Sequence, residues 1–274
     1  GRIVVARKNA SNVTEYYYGT GTSWTSIGSR PLLGTKARSA FYNLNGDDKV
    51  LFVDGVNYPA TYNTSGNSLT AIASSTDVLG ASHVAVFKDT AFYAKGNNVF
   101  FTAPSTVDNF AAGDGAGSIS AASDVTGLAV FRDQLIIFTS DSIKRLTGNT
   151  SSDFQVSPIA SQMGCINGDT IQEVGGDIMY LAADGIRLLS ATDRIGDFGL
   201  DIASDPITKD ATKFLGSTSN FTSVILREKA QYRIFAFIES EQNEVAKGLI
   251  ATKLIAQGSS GMSWSTTFGI KAHI

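Results

Sequence analysis

The stretch "GLAVFRDQLIIFTSDSIKRL" (Gly127–Leu146) repeats, without a gap, the pattern of "SHVAVFKDTAFYAKGNNVFF" (Ser82–Phe101). Ala85-Val86-Phe87-Lys88-Asp89 lies over Ala129-Val130-Phe131-Arg132-Asp133. The apolar run after this turn recurs along the whole chain. It reads "RIVVARKN" from Arg2, "KVLFVDG" from Lys49, "TAFYAKG" from Thr90, "QLIIFTSD" from Gln134, "DIMYLAAD" from Asp177 and "QYRIFAFIE" from Gln231. Successive starts lie 41 to 54 residues apart. A unit of roughly 40–50 residues is the size of one four-stranded propeller blade.

Each unit reads as strands. Alternation and β-branched or aromatic residues dominate, and turn residues fall every 8–12 positions or so. Asp-Gly at 54–55 and 184–185, and Gly-Asn at 96–97 and 148–149, are hairpin signals. Near-continuous apolar runs such as "LIIF" and "IMYL" predict strands covered on both faces. Radial stacking of four-stranded sheets provides that cover and leaves only short edges. One short turn is expected in "ASQMGCINGDTIQ" and a short helix over Asp201–Phe214.

The expected fold is therefore all-β: a single six-bladed β-propeller domain over 1–274, built of four-stranded antiparallel blades. Inner strands are expected near Ser39–Gly46, His83–Asp89, Gly127–Asp133, Asp169–Gly176, Ser223–Lys229 and Gly269–Ile274. The blades then span about 1–34 plus 269–274, 35–80, 81–124, 125–166, 167–215 and 216–268. In this scheme the C-terminal strand completes the first blade and removes its open edge.

Composition narrows the function. The net charge is −3 and no Lys/Arg run exceeds two residues, which argues against general polyanion binding. Cys165 is the only cysteine, so no disulfide framework or thiol metal site is expected. His83 and His273 sit in no metal-ligand motif. No apolar stretch reaches 18 residues, so no membrane span is expected. The chain opens inside a strand-like run without Met and reads as a fragment or processed product.

Motifs for chemistry are sparse. The Trp-Asp dipeptide of one propeller class is missing, Gly-Gly occurs once, at 175–176, and no sialidase-type box is present. Asp47, Asp48, Asp89, Asp133 and Asp177 could form the carboxylate pair that glycoside hydrolysis requires. Four of the five sit at expected hairpin turns, where Asp bonds its own backbone. Asp193, Asp197, Asp201, Asp205 and Asp210 do not have calcium-loop spacing and read as an inter-blade connection. Gly113–Gly117 has no following Lys-Ser/Thr and reads as a turn, not a phosphate loop. "EYYYG" (Glu15–Gly19) reads as a strand alternating core and rim, or as a sugar-stacking patch. Cys165 reads as a buried small hydrophobe.

One stretch is more specific. It runs from "VTGLAVFRDQLIIFTSDSIKRLTG" through "DFQVSPIASQMGCINGDTIQEVGGDIMYLAADGIRLLS", clearest over Val125–Leu189. This order of strand pairs, the "G-C-I" step and the "G-D-I-x-Y-L-x-x-D-G-I" turn resembles the propeller core of bacteriophage tail nozzle proteins, the tail tubular B or head-stabilisation type. The ending "GMSWSTTFGIKAHI" resembles the end of that core. The shared motifs are structural and carry no catalytic residue across. In that family the propeller is part of a longer chain.

The resemblance implies a structural, non-enzymatic virion protein with no cofactor, metal or catalytic residue. It implies a homo-hexameric ring below portal and adaptor, contacts to tail fibres, and a genome passing through the ring without sequence-specific contact. A mildly acidic chain suits a DNA conduit that should not grip phosphates. A second reading is a receptor- or glycan-binding propeller of a fibre or baseplate. A third is a calcium-dependent six-bladed hydrolase, for which Asn43, Asn45 and Glu173 would be the ligand candidates.

Overall fold

The computed structural model describes residues 3–11, 13–19, 22–31, 36–44, 46–189, 204, 207, 221–229, 231–237, 244–253 and 262–271. Strands dominate, and they follow one another as antiparallel meanders in six sheets. Sheet 1 holds β1 (Ile3–Lys8), β2 (Val13–Gly19) and β3 (Trp24–Pro31). Sheet 2 holds β4 (Arg38–Leu44), β5 (Asp47–Val53), β6 (Ala60–Asn63) and β7 (Ser68–Ala71). Sheet 3 holds β8 (His83–Phe87), β9 (Thr90–Lys95), β10 (Asn98–Phe101) and β11 (Gly117–Ser120). Sheet 4 holds β12 (Val125–Phe131), β13 (Gln134–Thr139), β14 (Ser142–Thr147) and β15 (Gln155–Ser161). Sheet 5 holds β16 (Gln172–Val174), β17 (Asp177–Ala182) and β18 (Gly185–Leu188). Sheet 6 holds β19 (Phe221–Leu226), β20 (Gln231–Phe237), β21 (Glu244–Lys253) and β22 (Met262–Lys271).

The repeat maps onto this frame. In sheets 2 to 6 the recurrent apolar run is the second strand, and the first strands β4, β8, β12, β16 and β19 fall where inner strands were expected. β9, β13 and β17 are buried on both faces over most of their length. Full burial of a side chain such as Phe92 or Leu135 contributes about 2–3 kcal/mol. The hairpin turn is set by Lys88 (φ 48°) and Asp89 (φ 53°), and again by Arg132 (φ 46°) and Asp133 (φ 61°). Positive φ at both central residues is the I′ geometry that matches strand twist. Here it is reached without glycine.

The chain divides into two compact units. The first comprises Gly1–Ile137 with Leu146–Val156. In it, Tyr16 and Ile27 of sheet 1 pack with Phe52 and Tyr62 of sheet 2. Tyr42 and Leu51 of sheet 2 pack with Val84 and Tyr93 of sheet 3. Phe92 and Phe101 of sheet 3 pack with Leu135 and Ile137 of sheet 4. Each sheet thus buries the face of the next. Polar bonds follow the same path: the Tyr42 hydroxyl donates to the Asp89 carbonyl at 2.6 Å.

The second unit comprises Phe138–Arg145 with Ser157–Ile274. Phe138 packs on Tyr180, with ring centroids 5.4 Å apart. Met179, Leu181 and Ile186 of sheet 5 pack with Tyr232, Ile234 and Leu249 of sheet 6. The Tyr232 hydroxyl donates to the Thr170 carbonyl at 2.8 Å.

Several expectations change. The C-terminal segment Gly269–Ile274 does not form a separate strand as far as Lys271. It is the end of β22, where Ile270 pairs with Val245 and Lys271 with Glu244 of β21. β21 is ten residues long, and β22 pairs with it along its whole length from Lys253 to Glu244. Sheet 1 accordingly has three strands among the described residues. Asp54-Gly55 and Gly148-Asn149 open longer loops, at 54–59 and 148–154. Asp54 is buried and its carboxylate accepts the Val56 and Asn57 amides at 3.0 and 2.7 Å, which organises the first loop. Asp153 does the same for the second through the Asn149 and Thr150 amides. The glycine-rich stretch at 113–117 overlaps a 3-10 turn over Ala112–Asp114, which ends on Gly115. The short turn expected in 160–172 is the 3-10 turn Gly168–Thr170, capped by Asn167. The helix expected over Asp201–Phe214 lies outside the described residues, apart from Ser204 and Ile207.

Candidate functional site

Sheet 1 carries a group of exposed apolar side chains, Ile3, Val5 and Trp24, on the side away from sheet 2. Alternation explains the division. Val4, Ala6, Tyr16 and Tyr18 point to the core shared with Phe52 and Tyr62. Ile3, Val5 and Arg7 point the other way, opposite Gly19, Tyr17 and Glu15 of β2. On β3, Trp24 stands opposite Gly19 and Ser26 opposite Tyr17. Trp24 is 47% exposed and Ile3 64%. Val5, Arg7, Tyr17 and Trp24 line a shallow depression of about 270 Å³.

Two local devices fix this face. A Cβ at Gly19 would lie 2.8 Å from Trp24 Cε3 and 2.9 Å from the Ser23 carbonyl. Only glycine lets the indole rest against the β2 backbone. The second device is a polar chain. The Ser11 and Val13 amides donate to Asn9 Oδ1 at 2.9 and 3.0 Å. Asn9 Nδ2 donates to Glu15 Oε1 at 3.0 Å, and the Tyr17 hydroxyl donates to Glu15 Oε2 at 2.7 Å. These bonds, Tyr17 first, hold the Glu15 carboxyl below its ordinary pKa. The same carboxylate pushes the Tyr17 phenol upward. The arrangement offers an aromatic platform with a fixed, ionised rim.

The "EYYYG" stretch is the strand alternating core and rim that its pattern suggests. Tyr16 is core at 1% exposure, Tyr18 stacks on Tyr62 at 6.3 Å, and Tyr17 faces outward. Sequence reasoning missed Arg7 and Trp24. The alternation of Ile3, Val5 and Arg7 was the available signal.

The other candidates are not brought together. Asp47 accepts Ser65 Oγ at 2.7 Å, Asn63 Nδ2 at 2.9 Å and Lys49 Nζ at 3.2 Å, which lowers its pKa. Asp48 accepts Asn43 Nδ2 at 2.6 Å, a local hairpin bond. Asp89 and Asp133 occupy the positive-φ turns. Asp177 accepts the Ile178 amide at 2.8 Å. Glu173 is exposed on β16, in the other unit from Asn43. Asn45, His273 and Asp193, Asp197, Asp201, Asp205 and Asp210 lie outside the described residues. His83 Nδ1 lies 3.0 Å from Ser82 Oγ. Among the described residues, no three His, Cys, Asp or Glu side chains are grouped as a metal site. Cys165 is buried and donates to the Asn167 carbonyl at 3.2 Å. Burial pushes its thiol up to about 11, so it is no nucleophile at neutral pH.

No protein-family pattern and no curated protein sequence matches this chain. Solved structures do. The chain is similar to the dihydro-heme d1 dehydrogenase NirN in complex with DHE, with a TM-score of 0.56 and 9% identity over 97% of this chain. It spans about half, 53%, of that protein's length. A chain of the mitotic checkpoint complex matches with a TM-score of 0.53 and 10% identity, covering 96% of this chain and 77% of the other. Kluyveromyces lactis Hsv2 matches with a TM-score of 0.51 and 8% identity, covering 96% and 84%. At such identities the likeness concerns the fold alone, and that fold is an all-β, propeller-like array of antiparallel sheets.

Proposed function

We propose that this chain is a structural subunit of a bacteriophage tail, a nozzle component in a six-copy ring below portal and adaptor. In this reading the six sheets are blades of one propeller. The block holds neighbouring tail proteins or fibres, and the genome passes along the ring axis. The observation that carries the reading is mechanical. Neighbouring sheets share apolar clusters, and a hydrogen bond adds a polar tie in each unit: Tyr42 to the turn at Asp89, and Tyr232 to the turn at Thr170. Close-packed interiors of this kind resist compression and transmit load. The segment that resembles nozzle proteins, Val125–Leu189, holds sheets 4 and 5. A net charge of −3 suits a channel wall that releases DNA.

The test is virion association. Antibodies against this chain should label the tails of purified particles from a phage carrying the gene, and the protein should co-purify with portal and adaptor. Purified particles lacking the protein would refute the proposal.

A further inference from the structure

We propose that Thr14, Tyr16 and Arg30, on the inner side of sheet 1, form a buried site for one ordered water molecule that joins sheet 1 to the 54–59 loop of sheet 2. The inference does not depend on the tail-assembly reading. All of its residues lie in the first compact unit.

Three observations lead there. The first is a convergence of polar atoms. Thr14 and Tyr16 are fully buried and Arg30 is 8% exposed. Thr14 Oγ1, the Tyr16 hydroxyl and Arg30 Nη1 have no hydrogen-bond partner. Alternate residues of a strand share a face, so Thr14 and Tyr16 point the same way. Arg30 on β3 stands directly opposite Thr14. The second is electrostatic. Burial raises the Tyr16 phenol above its ordinary pKa, the Arg30 charge lowers it and the Asp54 charge raises it. These groups are therefore near enough to act on one another. The third is the way the guanidinium is held. Arg30 Nη2 donates to the Tyr58 carbonyl. In the same loop Asn57 Nδ2 donates to Asp54 Oδ2 at 2.8 Å and to the Pro31 carbonyl at 3.3 Å. One side of the guanidinium is thus fixed to sheet 2, and Nη1 is left for sheet 1.

Buried polar atoms without partners keep their whole desolvation penalty, so folded proteins rarely retain them. Three neighbours of this kind call for one small guest that both accepts and donates. A cation would meet Arg30. An anion would meet the buried Asp54 carboxylate and add an uncompensated charge to the interior. Water is neutral, and about three hydrogen bonds is its usual number inside proteins. Its oxygen accepts from Arg30 Nη1 and from the Tyr16 hydroxyl, and one of its protons goes to Thr14 Oγ1. β2 and β3 are then tied to each other and, through Arg30, to the loop of sheet 2.

The experiment pairs a high-resolution crystal structure of the chain with water-proton magnetic relaxation dispersion in solution. The crystal should show one water oxygen about 2.7–3.0 Å from all three atoms. Thr14→Val keeps the side-chain shape and should remove one long-lived water from the solution count. Tyr16→Phe keeps the ring in its cluster and removes one hydrogen bond. It should shorten the residence of that water about fivefold to tenfold, which keeps the test valid if Thr14→Val misfolds. A direct bond between the Tyr16 hydroxyl and Arg30 with no density between the three atoms would overturn the proposal. So would an anion at the site, seen as an anomalous peak after a bromide soak, or relaxation that neither variant changes.

Discussion

Lys88 Nζ lies 2.6 Å from Asp133 Oδ1, so the turn of one repeat is joined to the same turn of the next. The sequence repeat is thus also a contact. The Asp133 side chain is 77% exposed and that of Lys88 26%. Exposed pairs contribute little, so Lys88→Met should cost no more than about 0.5 kcal/mol. Urea unfolding at low and high salt checks this.

The turn backbone matters more than the pair. Asp89 holds φ 53° behind Lys88 at φ 48°. A β-branched residue is strained there, so Asp89→Val should cost about 1–3 kcal/mol. Asp89→Gly should be neutral or stabilising by about 0.5 kcal/mol, because glycine has no left-handed penalty. Paired denaturation curves of the two variants test the I′ assignment.

Alkaline pH should destabilise the fold. Burial, with the nearby Asp89 charge, raises the Tyr42 phenol to about 12. Burial also raises Tyr93, Tyr232 and the Cys165 thiol, the last to about 11. These groups keep their protons in the folded state after the unfolded chain has begun to lose them. Their contribution is complete below about pH 8.5, the unfolded thiol value, and is lost as pH rises from there through the raised folded values. The melting temperature should therefore be level from pH 7 to about 8.5 and fall above that. Tyr93→Phe removes one bond, to the Val107 carbonyl at 2.9 Å. It should lower neutral stability by about 1 kcal/mol and make the alkaline decline shallower.

Gly164 should tolerate no side chain. A Cβ there would lie 2.1 Å from the Thr139 carbonyl oxygen and 2.7 Å from the Asp141 amide. The Cys165 amide donates to that same carbonyl at 2.8 Å. Gly164→Ala must push the two segments apart and break this bond, at a cost of about 2–4 kcal/mol. Thermal melts of Gly164→Ala beside Gly113→Ala, where a Cβ meets nothing within 4 Å, provide the contrast.

Much of the fold was legible because its signal is periodic. The recurrent second strands and the first strands of five sheets could be placed from spacing alone, since period 2 and repeated turns survive sequence drift. The C-terminal strand was not, because pairing partners are not written in a strand: Ile270 would suit the first blade as well as the place it takes beside Val245. Asp-Gly at 54–55 misled for a related reason. Asp54 uses its carboxylate to order a loop from a buried position, which a dipeptide cannot reveal. The exposed group on sheet 1 was half legible. "EYYYG" drew attention to Tyr17, whereas Arg7 and Trp24 join it only through cross-strand register.

Single-particle imaging of the full-length gene product tests most directly whether this chain is a phage-tail subunit built on propeller blades. Rings of six copies, each containing a block of radially arranged sheets and fitting the tail below the adaptor, are the predicted result. Particles that remain monomeric and show no density in tails of the parent virion would contradict it.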